Sequence, residues 1–377
     1  MQVVTSLAGE SWEIDQRVKI GIVGGGQLGR MLALAGYPLG LTFTVLDPAA
    51  DACAGQVTRH LVEGFDNDTA LARLAADADV ATFEFENVPV AAVRRLADRL
   101  PVHPSADALE VLQDRLTEKR LFQALGMPTA PIATVDTRDD LVAAIGSVGY
   151  PAVLKTRRMG YDGRGQYRLQ GARDITPAWQ RLGGSPLLLE GYVDFRRELS
   201  LVAARSVSGD TVFYPLTENT HRDGILRTSR VIHDGMLQAS AERHAHALMR
   251  RLDYVGVLAL EMFDKDGVLI ANEAAPRVHN SGHWTIEGAV TSQFENHLRA
   301  ILDWPLGRTD ARGYCAMVNL IGVLPDWREL LGLPGVHAHS YGKAPAPGRK
   351  LGHVTIVADT ESAGDDLLAA VIRLVAN

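Results

Sequence analysis

The sequence predicts a chain of mixed α/β and α+β class, with a parallel, helix-covered sheet first, then antiparallel units and a β-rich close. Three observations carry this. Short β-rich runs alternate with helical stretches over the first hundred residues, a pattern of parallel pairing with a binding site at the carboxyl ends of the strands. The turn Asp264-Lys-Asp-Gly267 joins two apolar runs, Ala259–Phe263 and Leu269–Arg277, as hairpin partners. From about residue 312 three short strands and a helix end the chain. With 377 residues, 46% hydrophobic and 22% charged, there is material for two or three packed domains, and wholesale disorder is excluded.

In order, residues 1–17 lack the charged stretch and apolar core of a signal peptide and read as a disordered leader. Lys19–Val23 is a strand, and Gly24–Gly29 turns it into the helical Arg30–Ala35. Leu41–Asp47 and Val80–Asn87 are further strands, the latter followed by the helical Val90–Leu100. Gly24, Gly26, Gly29 and Asp47 fit a dinucleotide-binding pattern, which taken alone implies an NAD-dependent oxidoreductase. Any strand-to-helix turn that holds an anion uses the same glycines, so the pattern is weak alone. A helix of alternating charge, Ala106–Gly126, stops before Pro128 and Pro131. A compact unit follows from about 132 to 200: helix Arg138–Ile145, strand Ala152–Lys155, a glycine-rich loop, strand Tyr167–Gln170, a helix, and strand Pro186–Val193. Strands Glu198–Ser206 and Thr211–Glu218, helix Ala239–Leu252 and the acidic hairpin come next. Strands Cys315–Val323, His337–Tyr341 and His353–Val357 and helix Ala363–Val375 close the chain.

Charge and composition narrow the function. A net charge of −7 argues against general nucleic-acid binding, so local basic clusters serve a small anionic ligand. Cys53 and Cys315 match no metal spacing and read as reduced thiols of a cytoplasmic protein. No apolar run approaches the roughly 20 residues of a membrane helix, so no membrane partner is expected.

Several constellations carry chemistry, each against a plainer reading as solvated surface charge. Glu261 and Glu273, on adjacent apolar strands, are costly to bury unless a cation neutralises them. With Asn272 beside them, they suit Mg²⁺ shared with nucleotide phosphates. Lys155 ends an apolar strand, and in the loop after it Gly160, Gly163 and Gly165 let backbone N–H groups approach phosphate and let the loop close as a lid. The backbone of Glu190, Gly191, Tyr192 and Val193 is placed to meet an adenine edge, and Glu198 a ribose. Arg277 offers a fork for bicarbonate or carboxyphosphate, and His279 can position it or move a proton. A zinc site on His279 and His283 lacks a third ligand. The basic loop Tyr341–Lys343 and Gly348–His353 reads as a grip on a phosphate monoester. Together these describe an enzyme that activates a substrate with ATP.

Four stretches in order, Gly25–Met31 (GGQLGRM), Tyr161–Gln166 (YDGRGQ), Asn272–His283 and Gly348–His353, span nearly all of the chain. Through them it resembles the ATP-grasp enzymes, and among these the N5-carboxyaminoimidazole ribonucleotide synthetases of purine biosynthesis. The resemblance implies an ATP-grasp fold. A Rossmann-like pre-ATP-grasp domain would occupy 18–113, the ATP-grasp domain 114–311 with its small lobe at about 132–195, and a small β-rich domain 312–377. It implies ATP contacts at Arg115, Lys155, the loop Gly160, Tyr161, Asp162, Gly163, Arg164, Gly165 and Gln166, the Glu190–Val193 hinge, Glu198, His221, Asn272 and Glu273, with Mg²⁺ on Glu261 and Glu273. Gln27, Leu28, Glu86, Asn280, Ser281, Lys343, Arg349 and Lys350 would meet 5-aminoimidazole ribonucleotide, and Tyr161, Asp162, Arg164, Arg277 and His279 would surround bicarbonate and the substrate amine. The implied reaction is ATP-dependent carboxylation by a cytoplasmic homodimer. The family has glycine where Met159 stands. Formate-dependent glycinamide ribonucleotide transformylase and biotin carboxylase are the neighbouring alternatives, and a non-catalytic nucleotide-binding subunit a more distant one.

Overall fold

The computed structural model describes residues 3–5, 11–13, 17–160 and 163–375. Within the stretch expected to be a disordered leader, Val3–Thr5 (β1) pairs antiparallel with Ser11–Glu13 (β2). The parallel sheet consists of Lys19–Val23 (β3), Thr42–Leu46 (β4), Arg59–Leu61 (β5) and Val80–Phe83 (β6), in the order β5-β4-β3-β6. Its central strands are near-continuous apolar runs because helices cover it, and Ile20, Ile22, Val45, Leu46 and Phe83 are buried. Glu84, Glu86 and Asn87, assigned to the last strand by the sequence, lie beyond its end.

A second sheet is antiparallel, of Ile132–Val135 (β7), Ala152–Thr156 (β8), Gln166–Leu169 (β9) and Leu187–Gly191 (β10), ordered β7-β10-β8-β9. The glycine-rich loop is the turn of its β8–β9 hairpin, with Lys155 opposite Gln166.

The third sheet holds Arg197–Arg205 (β11), Thr211–Phe213 (β12), Thr217–Arg222 (β13), Ile225–Val231 (β14), Gly256–Lys265 (β15), Val268–Ala275 (β16), Tyr314–Ile321 (β17), Val336–Ser340 (β18) and Lys350–Ala358 (β19). It is ordered β16-β15-β11-β13-β14-β17-β19-β18, with β12 on β11. The C-terminal strands therefore have no sheet of their own. They continue the central one through β14 and β17, from Thr228 opposite Val318 to Arg230 opposite Ala316.

The charged helix expected over Ala106–Gly126 is two helices, Ala106–Leu112 and Arg115–Ala124. Asp114 breaks it, because its carboxylate caps the second helix by accepting from the Leu116 N–H at 3.0 Å. The same carboxylate takes a two-pronged bond from Arg157, at 2.9 and 2.6 Å, and lies 3.4 Å from Arg158. These two arginines of the glycine-loop segment thus anchor it to the helix and are not free for phosphate.

Candidate active site

Two strands and one helix create the centre. The β15–β16 hairpin turns on Asp266 (φ 54°) and Gly267 (φ 82°), a pair of positive φ angles that matches the twist of the strands. Its register sets Glu261 directly opposite Glu273, and then slips at a bulge where Met262 faces Ala271, leaving Asn272 as the extra residue. The helix Arg115–Ala124 lies against β16. Arg115 Nη1 bonds Glu273 Oε2 at 2.5 Å, buried Glu118 accepts from the Ala274 N–H at 2.6 Å, and buried Lys119 donates to the Ala271 carbonyl at 3.3 Å.

Electrostatics divide the carboxylates. Burial, and then Glu273, push Glu261 up to about 7. Burial works the same way on Glu273, yet Arg115 and Lys155 hold it down at about 2. Glu118 is pushed up to about 8 by burial and by Glu273, so it is a neutral acid over much of the ordinary pH range. Glu190 is held at about 2 against its burial by Lys119 at 3.5 Å and Lys155 at 2.9 Å. Glu198 Oε2 stands 2.6 Å from His221 Nδ1, and the imidazole is raised, against burial, by Glu198 and Glu261.

On the far side of the hairpin, Arg277 Nε bonds Glu86, and its Nη1 donates to the Val278 carbonyl at 3.1 Å. Its fork is therefore largely engaged within the protein. Arg277 also keeps Glu86 ionised, below the ordinary carboxylate range despite burial, which makes Glu86 a counter-ion and a poor proton acceptor. His279 Nδ1 accepts from the Ser281 N–H at 3.3 Å and lies 2.8 Å from Ser281 Oγ, so the ring proton sits on Nε2, 3.3 Å from Glu261 Oε1. Burial, Arg277 and Lys350 hold this imidazole at about 3, so it is neutral and acts as a donor. Asn280 and Asn319 exchange amide bonds at 3.0 and 2.7 Å. Lys343 bonds Gln27, 316 residues away in sequence, and Arg349 donates to the Ala344 carbonyl at 3.0 Å.

The glycine turn near residue 24 has a different occupant from the one its motif suggests. Glu84 Oε1 accepts from the Gly26 N–H at 3.0 Å, and Oε2 from Leu28 and Gly29 at 3.2 and 3.3 Å, so the protein's own carboxylate caps the helix Gln27–Gly36. A methyl group on Gly26 would come within 2.5 Å of Glu84 Oε1. The glycines serve this close approach, and a dinucleotide pyrophosphate has no claim on those N–H groups. For the same reason Leu28 cannot meet a ligand through its N–H.

Of the residues singled out from the sequence, Glu261 stands opposite Glu273, with Arg115 on Glu273, His279 on Glu261, Lys155 on Glu190 and Arg277 on Glu86; others are placed differently. Tyr161 and Asp162 lie outside the described residues. The hinge amides of Gly191 and Tyr192 donate to the carbonyls of Pro131 and Pro151, at 2.8 and 3.0 Å, and are unavailable to a base. His283 is buried against Gln293, with Gln293 Nε2 3.2 Å from its Nδ1, and is no metal ligand. Sequence reasoning missed Glu84, Glu118, Lys119, Gln293 and Asn319. Lys119 had a signal, four residues after Arg115 on one helical face, and Asn319 is a lone amide in an apolar strand.

Oxygen donors at the hairpin fit a hard divalent cation. Two carboxylates face each other across the register, and Asn272 Oδ1 is buried without a partner. Among the described residues no three His, Cys, Asp or Glu side chains are grouped to hold a metal alone, so phosphate oxygens would complete such a shell.

Known families match in three consecutive blocks: a ribonucleotide synthetase preATP-grasp domain over residues 17–113, an ATP-grasp domain over 120–294, and a phosphoribosylaminoimidazole carboxylase C-terminal domain over 315–366. N5-carboxyaminoimidazole ribonucleotide synthase of Pseudomonas aeruginosa is 52% identical over 339 residues, covering 90% of this chain and 94% of that one. The chain belongs to the N5-carboxyaminoimidazole ribonucleotide synthase family. The Escherichia coli member is 42% identical, with 94% of each chain covered. The crystal structure of the Thermus thermophilus synthetase matches with a TM-score of 0.91 at 55% identity, over 95% of this chain and 99% of that one. That of the Aspergillus clavatus synthase, in complex with ADP and 5-aminoimidazole ribonucleotide, matches at 0.88 and 32% identity, over 96% and 99%. The fold is the ATP-grasp fold of this synthase family, an ATP-dependent ligase family, and the transformylase and oxidoreductase alternatives are not favoured. Among the described residues no helix is long and apolar enough to cross a membrane.

Proposed function

We propose that this chain carboxylates 5-aminoimidazole ribonucleotide at its exocyclic amine, using ATP and bicarbonate. The observation that carries the reading is the Glu261–Glu273 pair, with cations on one side and the Arg277–His279 turn on the other. On the nucleotide side, Arg115, Lys155 and the loop Gly160–Gln166 would meet phosphates, while Glu190, Val193, Glu198 and His221 would line the nucleoside. Glu261 and Glu273, with Asn272 beside them, would hold Mg²⁺, which when bound neutralises charge on the phosphates.

A bicarbonate oxygen attacks the γ-phosphorus as the bond to the β-phosphate oxygen breaks, giving carboxyphosphate and ADP. Arg115 and Lys155 stabilise the charge that spreads over the transferring group. The ribonucleotide amine then attacks the carboxyl carbon, phosphate leaves, and the amine loses a proton. His279, neutral and donating from Nε2, orients the carboxyl group. Asp162 is the proposed proton acceptor, since Glu86 is committed to Arg277. Gln27, Lys343, Arg349 and Lys350 would grip the ribonucleotide phosphate, a reading supported by the bond that joins Lys343 to Gln27 from opposite ends of the chain. A cytoplasmic homodimer belongs to the same proposal.

The test is ADP release from Mg-ATP and bicarbonate with each amine added separately. Stimulation by aminoimidazole ribonucleotide, and none by glycinamide ribonucleotide with formate, is expected, and the reverse would overturn the reading. Lys350→Ala should raise KM for the ribonucleotide by about tenfold or more, with KM for ATP nearly unchanged.

A further inference from the structure

Gln293 opens the helix Gln293–Ile301 and is fully buried. Its Oε1 accepts from the His279 N–H at 2.9 Å, and its Nε2 donates to the His279 carbonyl at 2.7 Å. One side chain therefore holds both backbone groups of one residue, which fixes that residue in place and direction. The arrangement is braced from behind. The Gln293 N–H donates to Thr285 Oγ1 at 3.0 Å, and that hydroxyl donates to the Gly282 carbonyl at 2.6 Å, at the other end of the same turn. A methyl group on Gly282 would come within 2.7 Å of Gln293 Oε1, so the turn and the amide fit only with glycine there.

We propose that Gln293 is a positioning residue for the carboxylation half of the reaction. It sets the His279–Gly282 backbone, and through it the aim of His279 at Glu261 and the Asn280–Asn319 pair, without touching the nucleotide. The inference rests on the reaction proposed above.

The test compares Gln293→Met, which keeps length but neither bond, with Gly282→Ala, which displaces the amide from outside. Each full-length variant should lose about tenfold or more in kcat/KM for aminoimidazole ribonucleotide, while KM for ATP stays within about twofold. Gln293→Glu keeps the acceptor for the His279 N–H and should fall between. Thermal unfolding reports whether each variant folds. If Gln293→Met does not, the other two decide, and if none folds the role is structural and the proposal is overturned. Ribonucleotide constants within about twofold of the starting protein, or an equal rise in both KM values, also overturn it. A starting protein whose ADP release is not stimulated by the ribonucleotide overturns the reaction itself, and this inference with it.

Discussion

Met159 carries a left-handed backbone, φ 63°, at the entrance to the glycine loop. An unbranched, 68% exposed side chain there gains little packing to offset the cost of roughly 1 kcal/mol that a β-carbon meets in this region. Met159→Asn, which tolerates this conformation, should stabilise by about 0.5–1 kcal/mol, and Met159→Val should destabilise by about 1 kcal/mol or more, both read by chemical denaturation. Glu84 is the opposite case, a buried side chain whose cost is offset locally. Glu84→Ala strands the N–H groups of Gly26, Leu28 and Gly29 and should cost about 2–3 kcal/mol in the same assay. Residues of this kind differ in legibility. Glu261 and Glu273 announced themselves because a charge in an apolar strand needs a reason. Gln293 gave no sign, since a polar residue at the start of a helix is ordinary in any surface segment.

At the scale of elements, the hairpin was legible from its turn, where Asp266 and Gly267 supply the positive φ values of a tight connection, but its register at the acidic pair was not. The bulge that brings Glu273 opposite Glu261 and leaves Asn272 as the extra residue carries no mark in the sequence. The split of the charged helix was hidden for a related reason: Asp114 is as acceptable on a helix surface as at the cap it forms on Leu116. Glu273→Gln removes the ionised member of the hairpin pair and frees Arg115, so Mg-ATP turnover should fall by about a hundredfold or more, measured as ADP release. Lys119→Met deletes a cation buried between the helix and β16, leaving Glu190 with Lys155 alone. It should cost about 2–4 kcal/mol in stability and raise KM for ATP.

For the molecule as a whole, the succession of a parallel region and later hairpins was legible in the alternation of strands and helices, while the ATP-grasp fold was legible only through the four stretches that carry the resemblance. How the regions join was not, since contacts between distant segments leave no local pattern. His297 is one such joint. Its Nδ1 accepts from the Val257 N–H at 3.1 Å and its Nε2 lies 2.9 Å from Thr82 Oγ1, linking β15 to β6. Burial, and then His103, hold it at about 3, and burial likewise keeps His283 and His353 well below the ordinary range. The unfolded chain takes up protons near pH 6.5 that the folded one refuses, so the stability held above that pH drains away as pH falls. Each such histidine should therefore withdraw up to about 1.4 kcal/mol of stability per pH unit between pH 6.5 and 4.5, read by chemical denaturation. The raised carboxyls of Glu118 and Glu261 work in the opposite direction, so the profile is compared with that of His297→Gln, and an identical slope in the two would show that this ring is not kept neutral.

The hydrogen bonds between β14 and β17 have a consequence for anyone who would trim this protein. A truncated chain ending near residue 311 does not merely shed a tail. It strips the partner from an interior ladder, and the bare edge of β14 is left to pair with whatever strand it meets, its own copies first. Such a fragment is expected to precipitate, and the proposed phosphate grip and nucleotide site would be lost together.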